Sequence, residues 1–357
     1  MTGPDLTLID AYLQELCRRR ASDLLLTAGS PPLLRIDGSL VVMDEPVLTA
    51  SDTGKMVDGL LDAETHERFR IEMEVDFSFG RPGLARFRAN AFHQRGAAAI
   101  ALRLIPFHIP SFVDLDLPSV CERIVALPHG LVLVTGPTGS GKSTTLASMI
   151  DRINEDRACH IVTIEDPIEY LHQHKQSAVN QREIGMDAIS FPRAVRAVLR
   201  EDPDVVLVGE MRDSETIASA LTVAETGHLV LASLHTNDAS QPVDRIVDVF
   251  PASQQAQIRV QLADSLQAIV SQRLIPKIGG GRVAAFEVMV ATHAVRNIMR
   301  EGRTNQLRNQ IATGTKDGMQ TLEMSLSQRL RDGVIAYDDA IAQTLHPGEI
   351  QVAVGHE

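Results

Sequence analysis

The chain has 357 residues, 44% of them hydrophobic, which suits about two domains with substantial cores. Lys and Arg total 34 against 46 Asp and Glu, and the formal charge of −12 opposes broad binding to phosphate backbones. Aromatics at 4% with no Trp leave few platforms for stacking bases, so no nucleic-acid partner is expected. Cys17, Cys121 and Cys159 form no CxxC pair, which disfavours a zinc or disulfide framework and suits a reducing compartment. Residues 1–20 carry no apolar signal core, and runs such as Leu131–Val134 fall far short of a membrane span. The expectation is a cytoplasmic protein without membrane insertion.

Along the chain, Ile9, Tyr12, Leu13 and Leu16 recur at helical spacing. Leu33–Ile36 and Leu40–Val42 flank Asp37-Gly38, a hairpin signal because both turn positions tolerate positive φ. Phe87, Ala89 and Ala91 alternate with Arg86, Arg88 and Asn90, and Ile100, Leu102 and Leu104 alternate with Arg103 opposite, which predicts strands with one apolar and one basic face. These elements make a small α+β domain, 1–106. Pro106, Pro110 and Pro118 punctuate a segment without period, so the linker is placed at 107–118.

Beyond it, 119–357 reads as α/β. Leu131–Thr135, Ile161–Ile164, Val205–Val208, Leu229–Leu234 and Val283–Val290 are short apolar runs separated by helical patterns, the signature of a parallel sheet covered on both faces. Met319, Leu322, Leu326 and Leu330 predict an amphipathic C-terminal helix.

The sharpest motif is Gly136-Pro137-Thr138-Gly139-Ser140-Gly141-Lys142-Ser143, followed by Thr144. It fits G-x-x-x-x-G-K-[ST] between an apolar strand and a helical pattern carried by Leu146, Met149, Ile150 and Ile153. Glycines let backbone N–H groups close around a phosphate, and the new helix aims its positive end there. Lys142 reaches the β- and γ-oxygens, and the Ser143 hydroxyl is placed for Mg²⁺. ATP with Mg²⁺ is the expected ligand pair.

Two strands end in carboxylates: Ile161–Ile164 runs into Glu165-Asp166, and Val205–Val208 into Gly209-Glu210. Ligands sit at the carboxyl ends of strands in open α/β sheets, so Glu165 and Glu210 are catalytic candidates, one at the metal and one at the attacking water. Which of them is the base stays open. Asp166 and Asp213 are equally well read as helix caps. His228 and His235 bracket one strand and would lie about 23 Å apart at 3.3 Å per residue, so they share no metal and read on their own as hydrogen-bonded structural residues. His172 and His174 read as solvated.

GPTGSGKST, TIEDPIEY (163–170), LVGEMRD (207–213) and TGHLVLASLHTNDA (226–239) resemble, in order and spacing, the Walker A, Asp, Walker B and His boxes of the secretion ATPase superfamily. These are the hexameric P-loop motors of type II secretion and type IV pili. SDLLLTAGSPPLLRIDG (22–38), RFRANAFHQRGAAAIALRLIP (86–106) and AVRNIMREG (294–302) are similar to its retraction (PilT-type) branch, and the resemblance spans about residues 5–345. Neither the four-cysteine insert nor the longer N-terminal region of assembly-type members is present. Val295, Met299 and Leu231-Ala232-Ser233 are mild departures from the branch.

The resemblance implies a RecA-like ATPase domain preceded by a PAS-like α+β domain, arranged as a homo-hexamer. It assigns Glu165 and Glu210 the acidic roles, with Glu210 beside Ser143 at the metal. It makes His228 and His235 sensors of the γ-phosphate, against their structural reading. It also implies that N-terminal arginines reach a nucleotide; Arg88, Arg95 and Arg103 are the candidates, against a solvated strand face, and loss of such a finger costs roughly 10³–10⁵ in turnover. The implied activity is ATP hydrolysis that shifts one domain against the other and powers pilus retraction. The implied partners are a PilC-like inner-membrane platform protein and a PilU-like paralogue, with the motor peripheral at the inner face of the membrane. Alternatives are a PilU-like accessory motor, an assembly or type II secretion ATPase, a nucleic-acid translocase, a small-molecule kinase and a nonhydrolysing scaffold.

Overall fold

In the computed structural model, which describes residues 7–36, 38–105 and 108–350, strand patterning resolves into two separate sheets. The chain divides into two compact units, Met1–Phe107 and His108–Glu357. Asp37 of the expected hairpin turn, and Pro106 and Phe107 at the boundary between the expected first domain and linker, lie outside the described residues.

In the first unit, the helix Thr7–Arg18 leads to β1 (Asp23–Leu26), β2 (Leu33–Ile36) and β3 (Ser39–Val42). The helices Ala50–Leu60 and Ala63–Glu72 precede β4 (Glu74–Arg81), β5 (Ala85–Gln94) and β6 (Ala97–Ile105). The antiparallel order is β3-β2-β1-β6-β5-β4, with Ile36 opposite Ser39 at the hairpin. Strict alternation makes the core: Ala85, Phe87, Ala89 and Ala91 of β5 are buried, while Arg86, Arg88 and Asn90 point to the other face. Ile9, Tyr12, Leu13 and Leu16 of the first helix close over this face, as their spacing predicts.

The second unit holds β7 (Gly130–Thr135), β8 (His160–Glu165), β9 (Ala178–Glu183), β10 (Val205–Val208), β11 (Leu229–Leu234), β12 (Leu266–Pro276) and β13 (Arg282–Val290). Their order is β13-β12-β7-β11-β10-β8-β9. From β12 to β9 all pairs are parallel, whereas β13 returns antiparallel on β12, so the last strand departs from the parallel expectation. Both sheet faces are buried: Leu131 and Leu133 join one core, Val132 and Val134 the other. The helix Lys142–Asp156 covers the second face with Leu146, Met149, Ile150 and Ile153. The helix Leu322–Arg331 buries Leu326 against Ile275 and Ala285, and Met319 is buried just ahead of it.

Residues 108–118 of the segment read as a linker cluster with the second unit. Phe112 and Leu117 pack beside Val120 and Cys121, and Asp116 pairs with Arg329. His172 corrects an expectation: its side chain is only 2% exposed, and burial holds its pKa down to about 4, with Asp151 opposing. It is a neutral packed residue rather than a solvated one.

Phe87 is fully buried at the centre of the first core. Phe87→Ala is expected to cost about 3–5 kcal/mol in chemical denaturation of the first unit, and a loss below about 1 kcal/mol would contradict that placement.

Candidate active site

The phosphate loop needs backbone conformations that only glycine adopts cheaply. Gly136, Gly139 and Gly141 have φ of 145°, 77° and 89°. A Cβ at Gly136 would lie 2.4 Å from the Gln272 carbonyl oxygen, so the loop packs flush against β12. Lys142 opens the following helix and folds back: its Nζ donates to the carbonyls of Gly136 at 2.9 Å and Pro137 at 3.1 Å. Lys142 is 8% exposed, and burial holds its pKa below the usual value, with Glu210 opposing. Pro137, Thr138, Gly139 and Ser143 are exposed, and Thr144 bonds the Tyr170 hydroxyl at 2.9 Å.

Parallel strand order brings the other groups to this loop. β11 lies beside β7 and β10 beside β11, so their carboxyl ends share one edge. At the end of β11, His235 places Nδ1 3.4 Å from Lys142 Nζ and Nε2 3.0 Å from Glu210 Oε1. Arg212 grips Glu210 with two bonds of 2.7 Å. Burial works against the Glu210 charge, yet Arg212 and His235 together hold its pKa below the usual value. Glu165 ends β8 and is 9% exposed. It accepts from the Thr163 hydroxyl at 2.6 Å and the Gln181 amide at 3.1 Å. Burial nevertheless pushes its carboxyl up to about 7. The two acids therefore differ: Glu210 is held ionised, and Glu165 is poised to exchange a proton near neutrality.

The structure does not bring every predicted residue here. His228 sits at the opposite end of β11, where Nδ1 meets the Val223 carbonyl at 3.0 Å and the Thr226 hydroxyl at 3.1 Å. Within this chain it lies away from the phosphate loop, bonded in the Thr226–Leu229 turn, about 23 Å along the strand from His235 at 3.3 Å per residue. Asp213 caps the helix Ser214–Glu225 through Thr216 N at 2.8 Å, whereas Asp166 is exposed and makes no such cap. The three arginines belong to the first unit. Arg88 and Arg103 are cross-strand partners in a groove with Asp23, Asp76 and Asn90, and Arg103 pairs with Asp23 at 2.8 Å. Arg95 lies apart from them, exposed in the β5–β6 turn with φ of 52°.

The sequence pattern of the Type II/IV secretion system protein family matches residues 111–329, more than half of the chain. The chain belongs to that family. The type IV pilus retraction ATPase PilT of Pseudomonas aeruginosa is 49% identical over 323 residues, covering 90% of this chain and 94% of PilT. PilU of the same organism is 38% identical over 346 residues, covering 97% and 91%. A crystal structure of the pilus retraction motor PilT with bound ADP superposes with a TM-score of 0.90 at 49% identity, covering 96% of this chain and 98% of that one. The fold of this secretion-family chain is thus the mixed parallel ATPase sheet behind an N-terminal domain.

Sequence reading missed Gln272. It is 2% exposed on β12, donates its amide to the Ser140 carbonyl at 2.5 Å and accepts from Thr145 Oγ1 at 2.7 Å. Only a side chain that both donates and accepts closes this clamp on the phosphate loop. No motif marks it, because β12 carries Ser271, Gln272 and Arg273 in mid-strand. A cavity opens beside the clamp between Leu115, Thr144, Leu274, Arg282 and Phe286.

A carboxyl whose folded pKa, about 7, exceeds its usual 4.5 stabilises the fold below the lower value and loses that contribution as pH rises through the upper one. Glu165→Gln is neutral throughout. Its melting temperature should gain on wild type as pH rises from about 5 to 8, by up to about 3 kcal/mol in stability, and a pH-independent difference would contradict the assignment.

Proposed function

We propose that this chain is an ATP-hydrolysing motor that powers type IV pilus retraction and hence twitching motility. The observation that carries the ATPase reading is the line from Lys142 through His235 to Glu210 at the mouth of the phosphate loop. Similarity at 49% over nine-tenths of the chain to a retraction ATPase, against 38% to PilU, favours retraction over the accessory role.

The residues fit the nucleotide. The glycine turns expose backbone N–H groups, the buried Ser140 hydroxyl has no partner among the described residues, and the Lys142 ammonium rests on carbonyls that a phosphate would replace. The cavity beside Thr144 and Phe286 suits the base. Mg²⁺, held by the Ser143 hydroxyl and Glu210 with phosphate oxygens and water, would neutralise charge on the transferring group. Water attacks the γ-phosphorus as the bond to the ADP oxygen breaks. Glu165, with its raised pKa, takes the water's proton, and Lys142 balances charge on the phosphate oxygens. His235 reports the state of the γ-phosphate to Glu210.

The motor works as a homo-hexamer in which each turnover moves the N-terminal unit, 1–106, against the ATPase unit, 119–357, joined by 107–118. Arg88, Arg95 and Arg103 are placed on the unit that would bring charge to a nucleotide from outside the phosphate loop. No helix of the described residues is long and apolar enough to cross a membrane. Contact with the inner membrane runs through a platform protein of the PilC type, with a PilU-like paralogue as a companion.

Lys142→Ala and Glu210→Gln should each lower ATP turnover by about 10²-fold or more, measured as phosphate release. A clean deletion in the host strain should leave more surface pili and no surface motility. Bald cells would point to an assembly or secretion motor, and wild-type turnover in either variant would overturn the site.

A further inference from the structure

His235 works only if its ring stays between Lys142 and Glu210, and that depends on the loop Thr236–Ser240 that leads away from it to the helix Gln241–Asp248. The loop is anchored from the β12–β13 hairpin. Glu287 of β13 accepts the Ala239 N–H at 2.7 Å, and Arg273 of β12 donates to the Asn237 carbonyl at 3.1 Å. Ala239 is fully buried and Glu287 is 6% exposed, so no water replaces that bond without opening the structure.

A carboxyl is a costly choice at this place. Asp238 from the loop and Glu323 from the helix Leu322–Arg331 crowd it with like charge. Arg308 of the helix Leu307–Thr313 lowers its pKa, and Arg308 is already shared with Glu323 at 3.0 Å and Glu349 at 2.9 Å. Burial, with Asp238 and Glu323 adding to it, pushes the Glu287 carboxyl up to about 7. A leucine would fill much of the same space without burying an acid among Asp238 and Glu323. What leucine lacks is an acceptor for Ala239.

We propose that Glu287 is a positioning residue for ATP hydrolysis: through the Ala239 N–H it sets the loop that presents His235 to Lys142 and Glu210. The proposal rests on the ATPase reading above and adds a residue that touches neither nucleotide nor phosphate loop.

The test compares Glu287→Ala, Glu287→Leu and Glu287→Gln with wild type in the full chain, measuring ATP turnover and ADP affinity. Alanine and leucine offer no acceptor, leucine keeps the volume, and glutamine keeps an acceptor oxygen. The alanine and leucine variants should lose about ten- to a hundredfold in kcat with KM for ATP and ADP affinity within about threefold, since a small misplacement costs turnover before binding. Glutamine should recover most of that turnover. Wild-type kcat in the leucine variant would overturn the proposal. So would parallel loss of kcat and ADP affinity in all three variants, which is the pattern of a structural role alone. No turnover in wild type would overturn the ATPase reading, and this proposal with it.

Discussion

The interaction on which the site depends is the one Lys142 makes with its own loop. An ammonium with little exposure is costly unless its donors are occupied. Here the carbonyls of Gly136 and Pro137 occupy them, and among the described residues no carboxylate touches it directly. The cation is therefore satisfied by backbone carbonyls rather than neutralised by an acid. That arrangement needs a loop free of Cβ atoms against β12, which Gly136 provides, and a strand order that keeps Glu210 one side chain away, behind His235.

The sheet meets this need by adjacency. β7 ends in the phosphate loop, β11 beside it ends in His235, and β10 beside that ends in Glu210. On the other side of β7, the β12–β13 hairpin supplies Gln272 to the phosphate loop and Glu287 to the loop after His235. The two halves of the site are thus held by one hairpin whose antiparallel return breaks the otherwise parallel sheet. The contrast between Glu210, held below the usual carboxyl range, and Glu165, pushed up to about 7, follows from surroundings: Arg212 and His235 attend one, and burial outweighs a hydroxyl and an amide at the other.

Much of this was legible in the sequence, because glycine spacing and strand-end carboxylates are local signals. Lys142, Glu165 and Glu210 could be named from the runs that carry them, and the first domain's strands from simple alternation. What local pattern does not carry is which strands become neighbours. β9 has a single buried apolar residue among Ala178–Glu183, and β12 interrupts its apolar run with Ser271, Gln272 and Arg273, so neither reads as a strand. Gln272 stayed hidden with β12, and Glu287 stayed hidden although its strand could be read, since their partners lie 132 and 48 residues away. His228 shows the converse. A histidine at each end of one strand looks alike in sequence, yet only the carboxyl end of a parallel strand faces the loop.

The measurement to make is ATP turnover of His235→Gln together with its ADP affinity. If His235 links the phosphate-loop lysine to Glu210, turnover falls by about tenfold or more while ADP binds as to wild type. Wild-type turnover in that variant would contradict the link between Lys142, His235 and Glu210, and with it the way this site is built.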